Sequence, residues 1–80
     1  HDNYYVEQIP FDKVCPDGRT QRIRELDFRK KTGCSIIGYK TKSGEYIVNP
    51  EADMMLEQGS KLILIGRPEQ IENLKQQYRV

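Results

Sequence analysis

The six-residue run Lys61–Gly66 is apolar on both faces when it is written as an extended strand. Successive side chains of a strand point to opposite sides of its sheet, so alternate positions share a face. Two leucines fall on one face and two isoleucines on the other: Leu62 and Leu64, then Ile63 and Ile65. A near-continuous apolar run of this length is typical of a central strand, which has neighbours on both sides.

The residues that flank this run predict how the chain enters and leaves it. Gly59-Ser60 is a turn signal that reverses the chain into the strand. Pro68 fits the first position of a helix, where its missing N–H group is not needed. Three apolar residues follow at the i, i+3, i+7 spacing of one helix face: Ile71, Leu74 and Tyr78. The sequence therefore predicts a final amphipathic helix after the central strand.

Two more β-rich segments, CSIIGYK and EYIVN, lie in the middle of the chain. Ser43-Gly44 between them predicts a tight turn, so the two segments form a hairpin. Gly38 interrupts the first strand, which indicates a bulge or the close approach of another backbone or a ligand.

The segment TQRIRELDFRKKTG, residues 20–33, predicts the first helix. Thr20 is placed to cap its start and Gly33 to end it. Two apolar residues share one face: Ile23 and Leu26. Phe28 falls off that stripe, so we expect it to enter the core from an irregular last turn.

The opening segment NYYVEQIPF is β-rich in composition, and Pro10 ends the strand that it predicts. After the hairpin, EADMMLEQGS is too short and mixed for a helix; it predicts an extended or single-turn connector from which Leu56 or Met55 enters the core. The resulting order is β-α-β-β-β-α. This order predicts an α+β fold in which the helices pack on a mostly antiparallel sheet.

The chain has 80 residues, so we expect one domain, residues 1–80. A domain of this size buries a modest core, and many such domains gain stability from a partner subunit or a parent chain. The sequence opens with HDNYY and no Met, which favours a piece excised from a longer protein.

The residue types needed for catalysis or metal binding are sparse. His1 is the only histidine, at the chain start, and cannot serve as a fixed base for a cysteine nucleophile. Cys15 and Cys34 are too few for a structural zinc site. They are expected to be reduced, half-buried thiols, although an oxidising compartment would allow a disulfide. Three carboxylates are interpreted as exposed side chains of a solvated loop rather than as a divalent-ion site: Glu51, Asp53 and Glu57. We therefore predict neither an enzyme nor a metal centre.

Charge and hydropathy bear on two further classes, membrane-spanning proteins and nucleic-acid-binding proteins. The net charge is +1, and no apolar run approaches the roughly 18–20 residues of a membrane span. The segment Arg19–Lys31 holds six basic and two acidic residues, a local charge of +4. Nucleic-acid-binding domains are usually strongly basic throughout, so we favour a solvated helix face with i,i+4 pairs: Glu25–Arg29 and Asp27–Lys31.

An ordered set of motifs between residues 20 and 74 resembles the TrkA-C (RCK-C) domain, the C-terminal ligand-binding domain of prokaryotic potassium channels and transporters. The set consists of Leu26-x-Phe28, SIIGYK, the hairpin, Asn49-Pro50, Gly59 and an apolar strand that ends at Gly66. The resemblance implies a cytosolic, non-enzymatic regulatory domain that pairs with its own copy as a homodimer. It also implies a parent channel or transporter chain.

In some members of that family the dimer interface binds cyclic di-AMP. Carried over by position, the contacts fall on five residues: Ile36, Ile37, Lys40, Asn49 and Pro50. The apolar members suit a purine ring, the amide suits a base edge or a ribose hydroxyl, and the lysine offsets phosphate charge.

Two alternatives stay open at this stage. An Asn before Pro also starts a turn, so Asn49 has a purely structural interpretation. The domain as a whole could be a structural oligomerisation unit without a ligand, or, less readily, a nucleic-acid-binding module.

Overall fold

The structure is a computed structural model that describes residues 3–80. It contains six strands, three α-helices and one 3-10 turn within that range. Their bounds are β1 Tyr5–Pro10, α1 Phe11–Val14, β2 Gln21–Arg22, the 3-10 turn Ile23–Glu25, α2 Phe28–Thr32, β3 Ser35–Lys40, β4 Tyr46–Val48, β5 Met55–Leu56, β6 Lys61–Gly66 and α3 Pro68–Tyr78. The predicted α+β class is confirmed.

The main sheet has four strands in the order β1-β6-β3-β4, and each neighbouring pair is antiparallel. The predicted central position of β6 is confirmed, because it pairs with β1 on one side and β3 on the other. A separate two-stranded ribbon joins β2 to β5.

Gly38 lies at the predicted irregularity of β3. The register with β6 shifts between Ile36 and Gly38, which leaves Ile37 as the extra residue of a bulge. A Cβ atom at Gly38 would lie 3.1 Å from Cδ1 of Ile63, closer than an ordinary contact. Glycine therefore lets Ile63 of β6 lie flat across β3.

One hydrophobic core covers one face of the sheet, which we call the inner face. β6 contributes Leu62 and Leu64 to it, and α3 contributes Ile71 and Leu74. The ring of Phe28 meets the ring of Tyr78 edge to face, with 5.4 Å between centroids. The same cluster includes residues from α1, α2 and β5, so the helices and the ribbon pack on this one face: Phe11, Phe28 and Leu56.

The predicted helix over residues 20–33 is wrong in its first two turns. Gln21–Arg22 is extended and pairs with β5, and a 3-10 turn follows. Asp27 then adopts a left-handed backbone (φ +55°), which no α-helix can pass through, so α2 begins only at Phe28. Thr20 caps nothing, and the pairs Glu25–Arg29 and Asp27–Lys31 are not among the ion pairs within residues 3–80.

Three other expectations for these segments are confirmed: the helix stop at Gly33, the burial of Phe28 and the burial of Leu56. Gly33 ends α2 with φ +84°, and its N–H donates to the carbonyl groups of the last turn. Phe28 is buried, although it starts α2 rather than closing an irregular turn. Of the two connector residues considered, Leu56 is buried and Met55 is exposed.

Gly33 joins two helices as well as ending one. A Cβ atom at this position would lie 2.6 Å from Nε2 of Gln70, and Oε1 of Gln70 accepts the N–H of Arg67 (2.8 Å) at the start of α3. Gly18 has a similar φ (+81°), but nothing lies within 4 Å of its hypothetical Cβ.

We expect Gly18→Ala to lower the free energy of unfolding by about 1–2 kcal/mol, the backbone cost of an L-residue in the left-handed region. Gly33→Ala should cost about 2–4 kcal/mol, because the methyl group also displaces Gln70. Urea denaturation of both variants beside the parent protein measures the difference. Equal losses of unfolding free energy in the two variants would show that the contact with Gln70 does not contribute to stability.

Candidate functional site

Asn49 ends the hairpin in a left-handed backbone conformation. Its φ is +49°, and its N–H donates to the carbonyl oxygen of Ile37 (2.9 Å) at the β3 bulge. Apart from glycine, asparagine and aspartate tolerate this region best. The backbone conformation alone therefore explains why an Asn suits this turn. The side chain is exposed, which leaves its amide available to a ligand.

A hollow of about 480 Å³ opens beside this turn, and we call it the Asn49 hollow. Its walls come from the end of β4 and from the loop that follows: Ile47, Val48, Asn49, Pro50, Glu51, Asp53 and Met54. Ligand sites in proteins are typically about 300–1,000 Å³, mostly apolar, with a few polar groups. The apolar walls, one amide and two carboxylates suit a flat ring with hydrogen-bond donors better than they suit a phosphate.

The other predicted site residues lie apart from Asn49 and Pro50. Ile37 touches the turn only through its carbonyl oxygen. Ile36 packs against the core and lines a different hollow with Ser35 and Arg29. The structure therefore brings two of the five predicted residues, Asn49 and Pro50, together in one hollow and joins Ile37 to their turn by a backbone hydrogen bond.

Lys40 lies at the opposite end of the hairpin. Its Nζ sits 5.3 Å from the ring centre of Tyr46, within cation–π range. Tyr46 precedes Asn49 by three residues, a separation of about 10 Å along a strand. One copy of the chain thus presents Lys40 and Asn49 at two separate positions.

Sequence reasoning missed two lysines that share a hollow with Lys40. Lys42 and Lys61 line this second hollow, of about 270 Å³, which we call the lysine hollow. None of the ion pairs formed within residues 3–80 involves these three lysines. The antiparallel register places Lys40 opposite Lys61, so a correct pairing of the two strands would have identified one of them.

The second face of the sheet, which we call the outer face, carries few of the polar residues that water would favour. The register places nine residues there besides the lysines, and only Gln8 and Ser35 among them are polar: Val6, Gln8, Pro10, Ser35, Gly38, Tyr46, Val48, Ile63 and Ile65. Val6 is 60% exposed and Val48 is 78% exposed. An antiparallel sheet that faces water normally alternates apolar and polar residues, so this face is suited to a partner.

A model of the TrkA-C domain family matches residues 19–78, three quarters of the chain. The chain belongs to the TrkA-C family. The resemblance stated from the motifs is therefore confirmed.

Solved structures agree with this assignment. The GsuK channel bound to NAD superposes with a TM-score of 0.80 at 28% identity over 95% of this chain. The RCK C domain of the potassium transport protein KtrA, in complex with cyclic di-AMP, gives 0.75 at 25% identity over 94% of this chain and 84% of its own. This TrkA-C domain spans only 14% of the GsuK chain.

A third similar structure comes from BusR of S. agalactiae, an RCK_C domain dimer in complex with cyclic di-AMP. The TM-score is 0.70 at 22% identity over 98% of this chain and 91% of that one, which shows the fold. Another BusR structure contains promoter DNA, at 20% identity over 35% of that chain. KtrA is named as a regulator of K⁺ conductance, so the similarity is to regulatory domains rather than to enzymes.

Residues 3–80 of this TrkA-C domain contain no group of three metal-ligating side chains. Within the same residues, no helix is both long and apolar enough to cross a membrane. Both cysteines are free, and both are buried, whereas the sequence predicted half-buried thiols.

Cys15 is held as a thiol by its neighbours. Its Sγ donates to Oδ1 of Asp17 (3.0 Å), and Asp17 also accepts from the N–H groups of Arg19. The hydrogen bond to the carboxylate raises the pKa of Cys15, and burial adds to the rise. The same bond lowers the pKa of Asp17. Since the thiolate is the reactive form, Cys15 is a poor nucleophile.

We expect Asp17→Asn to lower the pKa of Cys15, because the variant replaces the carboxylate acceptor with a neutral amide and so removes the negative charge that disfavours the thiolate. The rate of alkylation by iodoacetamide, measured against pH in a Cys34→Ser background, reports this pKa. The midpoint should move to lower pH. Asp12→Asn, in the same background, is the control, and an equal midpoint in both variants would contradict the assignment.

Proposed function

We propose that this chain is a cytosolic regulatory domain of a potassium channel or potassium transporter, and that it binds a small nucleotide such as cyclic di-AMP. Residues 1–80 would act as one domain of a longer transport protein. The observation that carries the proposal is the Asn49 hollow within a TrkA-C fold. GsuK bound to NAD and KtrA bound to cyclic di-AMP support a nucleotide as the ligand class.

Binding can regulate transport only if the ligand favours one arrangement of the domain over another. The free energy available for gating equals the difference between the ligand's affinities for the two arrangements. The domain itself performs no chemistry in this proposal, and its output is a change in how it contacts the parent chain.

The two hollows divide the ligand's chemistry between them. The Asn49 hollow offers Pro50 as an apolar surface for a purine and the amide of Asn49 for a base edge. Its carboxylates Glu51 and Asp53 repel phosphate, whereas Lys40 attracts it. A nucleotide that uses both therefore spans the hairpin or bridges two copies of the chain, with Ile37 beside the Asn49 turn and Ile36 next along the strand, away from Lys40.

A second copy of the chain would pack on the outer face. This face carries exposed Val6 and Val48 and half-buried Ile63 and Ile65, and Val6 pairs with Ile65 across the sheet. BusR's RCK_C domain, which shares the fold, is a dimer. The lysines Lys40 and Lys61 mark one end of the outer face, and Glu51 lies beyond its other end. A two-fold axis across the strands would bring Lys40 near the partner's Glu51, which favours a symmetric pair.

The free edge of β1 is a poorer surface for the partner. The N–H of Gln8 donates to the carboxylate of Glu7 (3.2 Å), and Glu7 is also paired with Lys75 (3.1 Å). Backbone groups two residues apart in a strand point to the same edge, so the nitrogen of Pro10 also lies at this free edge, and proline has no N–H group to donate. An edge blocked in this manner resists the addition of another strand.

Asn49→Gly separates the ligand role of Asn49 from its turn role. Glycine keeps the left-handed backbone and removes only the amide, so stability should change by less than about 0.5 kcal/mol. Loss of a base-edge hydrogen bond should weaken cyclic di-AMP binding by about three- to tenfold in calorimetric titration. Asn49→Ala should lose stability as well, by about 1 kcal/mol, because alanine is strained at this φ.

The control is Asn3→Gly, which removes an exposed amide far from the hollow. If Asn49→Gly binds cyclic di-AMP as tightly as the parent protein, the amide serves the turn alone. If the parent protein binds neither cyclic di-AMP nor NAD, the domain is the structural oligomerisation unit that the sequence left open.

Val6→Glu tests the outer face as the dimer surface. The side chain is exposed and lines neither hollow, so the fold and the Asn49 hollow should be unaffected. A buried pair of like charges at a symmetric interface should shift the domain from dimer to monomer in sedimentation equilibrium. Met55→Glu, an exposed apolar residue on the ribbon, is the matched control and should stay dimeric. A dimeric Val6→Glu would place the interface elsewhere.

We do not propose binding of nucleic acid, although BusR has been seen with promoter DNA. Two arginines of the basic segment are occupied by ion pairs: Arg19 with Asp17 and Arg24 with Asp53. The net charge of +1 leaves little long-range attraction for a polyanion.

A further inference from the structure

The loop that forms one wall of the Asn49 hollow, residues 50–54, is weakly held by its own side chains. Glu51, Ala52 and Asp53 are exposed, and Met54 is the one member of the loop that packs against the core. A single internal bond, from the N–H of Met54 to the carbonyl oxygen of Glu51 (3.0 Å), tightens the loop. Its position must therefore come from a neighbouring element.

That neighbour is the segment Arg22–Arg24, which the sequence had assigned to a helix. The N–H of Ile23 donates to the carbonyl oxygen of Met54 (3.1 Å), and the N–H of Arg24 donates to that of Ala52 (3.0 Å). These two backbone bonds fix the loop at alternate residues.

Two arginine side chains hold the residue between them. Nη1 of Arg22 donates to the carbonyl oxygen of Asp53 (2.8 Å), and the guanidinium of Arg24 pairs with the carboxylate of Asp53. Arg22 is itself fixed, because its N–H donates to the carboxylate of Glu25 (2.6 Å) and it faces Met55 in the ribbon. The backbone and side chain of Asp53 are thus both restrained from one side.

Neither arginine lines the Asn49 hollow. Arg24 lies behind the loop, where it borders the separate hollow that contains Ile36. The loop stands between Arg24 on one side and the candidate ligand site on the other. Apart from the long-range attraction of their charges, any effect of these arginines on a ligand in the Asn49 hollow therefore passes through the loop.

We propose that Arg22 and Arg24 are positioning residues that hold the loop 50–54 in place for a nucleotide in the Asn49 hollow. This inference rests on the proposed function for its ligand, but the restraint on the loop exists without one. The ion pair is exposed, and exposed pairs add little to global stability. The arginines should therefore change local loop order and affinity rather than the free energy of unfolding.

The test compares two double variants that lose the same charge. Arg22→Gln with Arg24→Gln removes both side-chain restraints on Asp53. Arg29→Gln with Lys30→Gln is the control, since both residues are exposed, belong to the same basic segment and make no hydrogen bond or ion pair with the loop. Both variants lose two positive charges, so a difference between them cannot come from a general loss of attraction for an anionic ligand.

The first measurement is amide hydrogen exchange without ligand. Exchange at the amide of Met54 should quicken about tenfold in the arginine variant and stay within twofold in the control, with the β6 amides unchanged in both. Equal exchange at Met54 in all three proteins would overturn the positioning role, whether or not any nucleotide binds.

The second measurement is calorimetric titration with cyclic di-AMP. The arginine variant should bind about three- to tenfold more weakly than the charge-matched control. Arg24→Lys together with Arg22→Lys should recover most of the affinity, because lysine keeps a donor and a charge near Asp53. Equal affinities in the two glutamine variants would overturn the link to ligand binding. Absence of binding by the parent protein would instead refute the proposed function.

Discussion

The pairing of β6 with both of its neighbours is the constraint from which the rest of the fold follows. Leu62 and Leu64 are fully buried on the inner face, so the helices must lie there to cover them. Each methylene of such a side chain removed from water contributes about 0.8 kcal/mol. All three helices and the ribbon pack on the inner face, so within residues 3–80 none of these elements covers Ile63 and Ile65 on the other. The apolar outer face is thus a consequence of placing every helix on the side of Leu62 and Leu64.

Strands and the last helix could be predicted from the sequence because their signals are local. The alternation around β6, the hairpin turn at Ser43-Gly44 and the stripe from Pro68 to Tyr78 each depend on residues close together in the chain. The region from Thr20 to Phe28 was mispredicted because its structure is set by distant partners. The N–H groups of Ile23 and Arg24 donate to Met54 and Ala52, and β2 pairs with β5; no pattern within the segment itself reports that pairing. Asp27 in the left-handed region leaves no trace in hydrophobic periodicity either.

The same distinction applies to the candidate site. Asn49 and Pro50 form a local motif, so both were found, and both line one hollow. Lys42 lies in the hairpin turn and Lys61 starts β6, and they share a hollow only because the register of β3 with β6 places Lys40 opposite Lys61. Arg22 and Arg24 were read as part of a solvated basic face, whereas the structure uses them against the loop that follows the hairpin. Contacts between segments about 30 residues apart are invisible to spacing arguments.

The left-handed backbone of Asn49 has a consequence for how related chains should be compared. A turn with positive φ retains Asn, Asp or Gly at this position for steric reasons alone. A domain that had lost its ligand would therefore keep the same Asn, and a domain that had replaced it with Gly would keep its turn. Side chains that the backbone does not require, such as Lys42 and Lys61 in the lysine hollow, are free to change when the ligand changes. At these positions the residue type should therefore differ between related domains that bind different ligands.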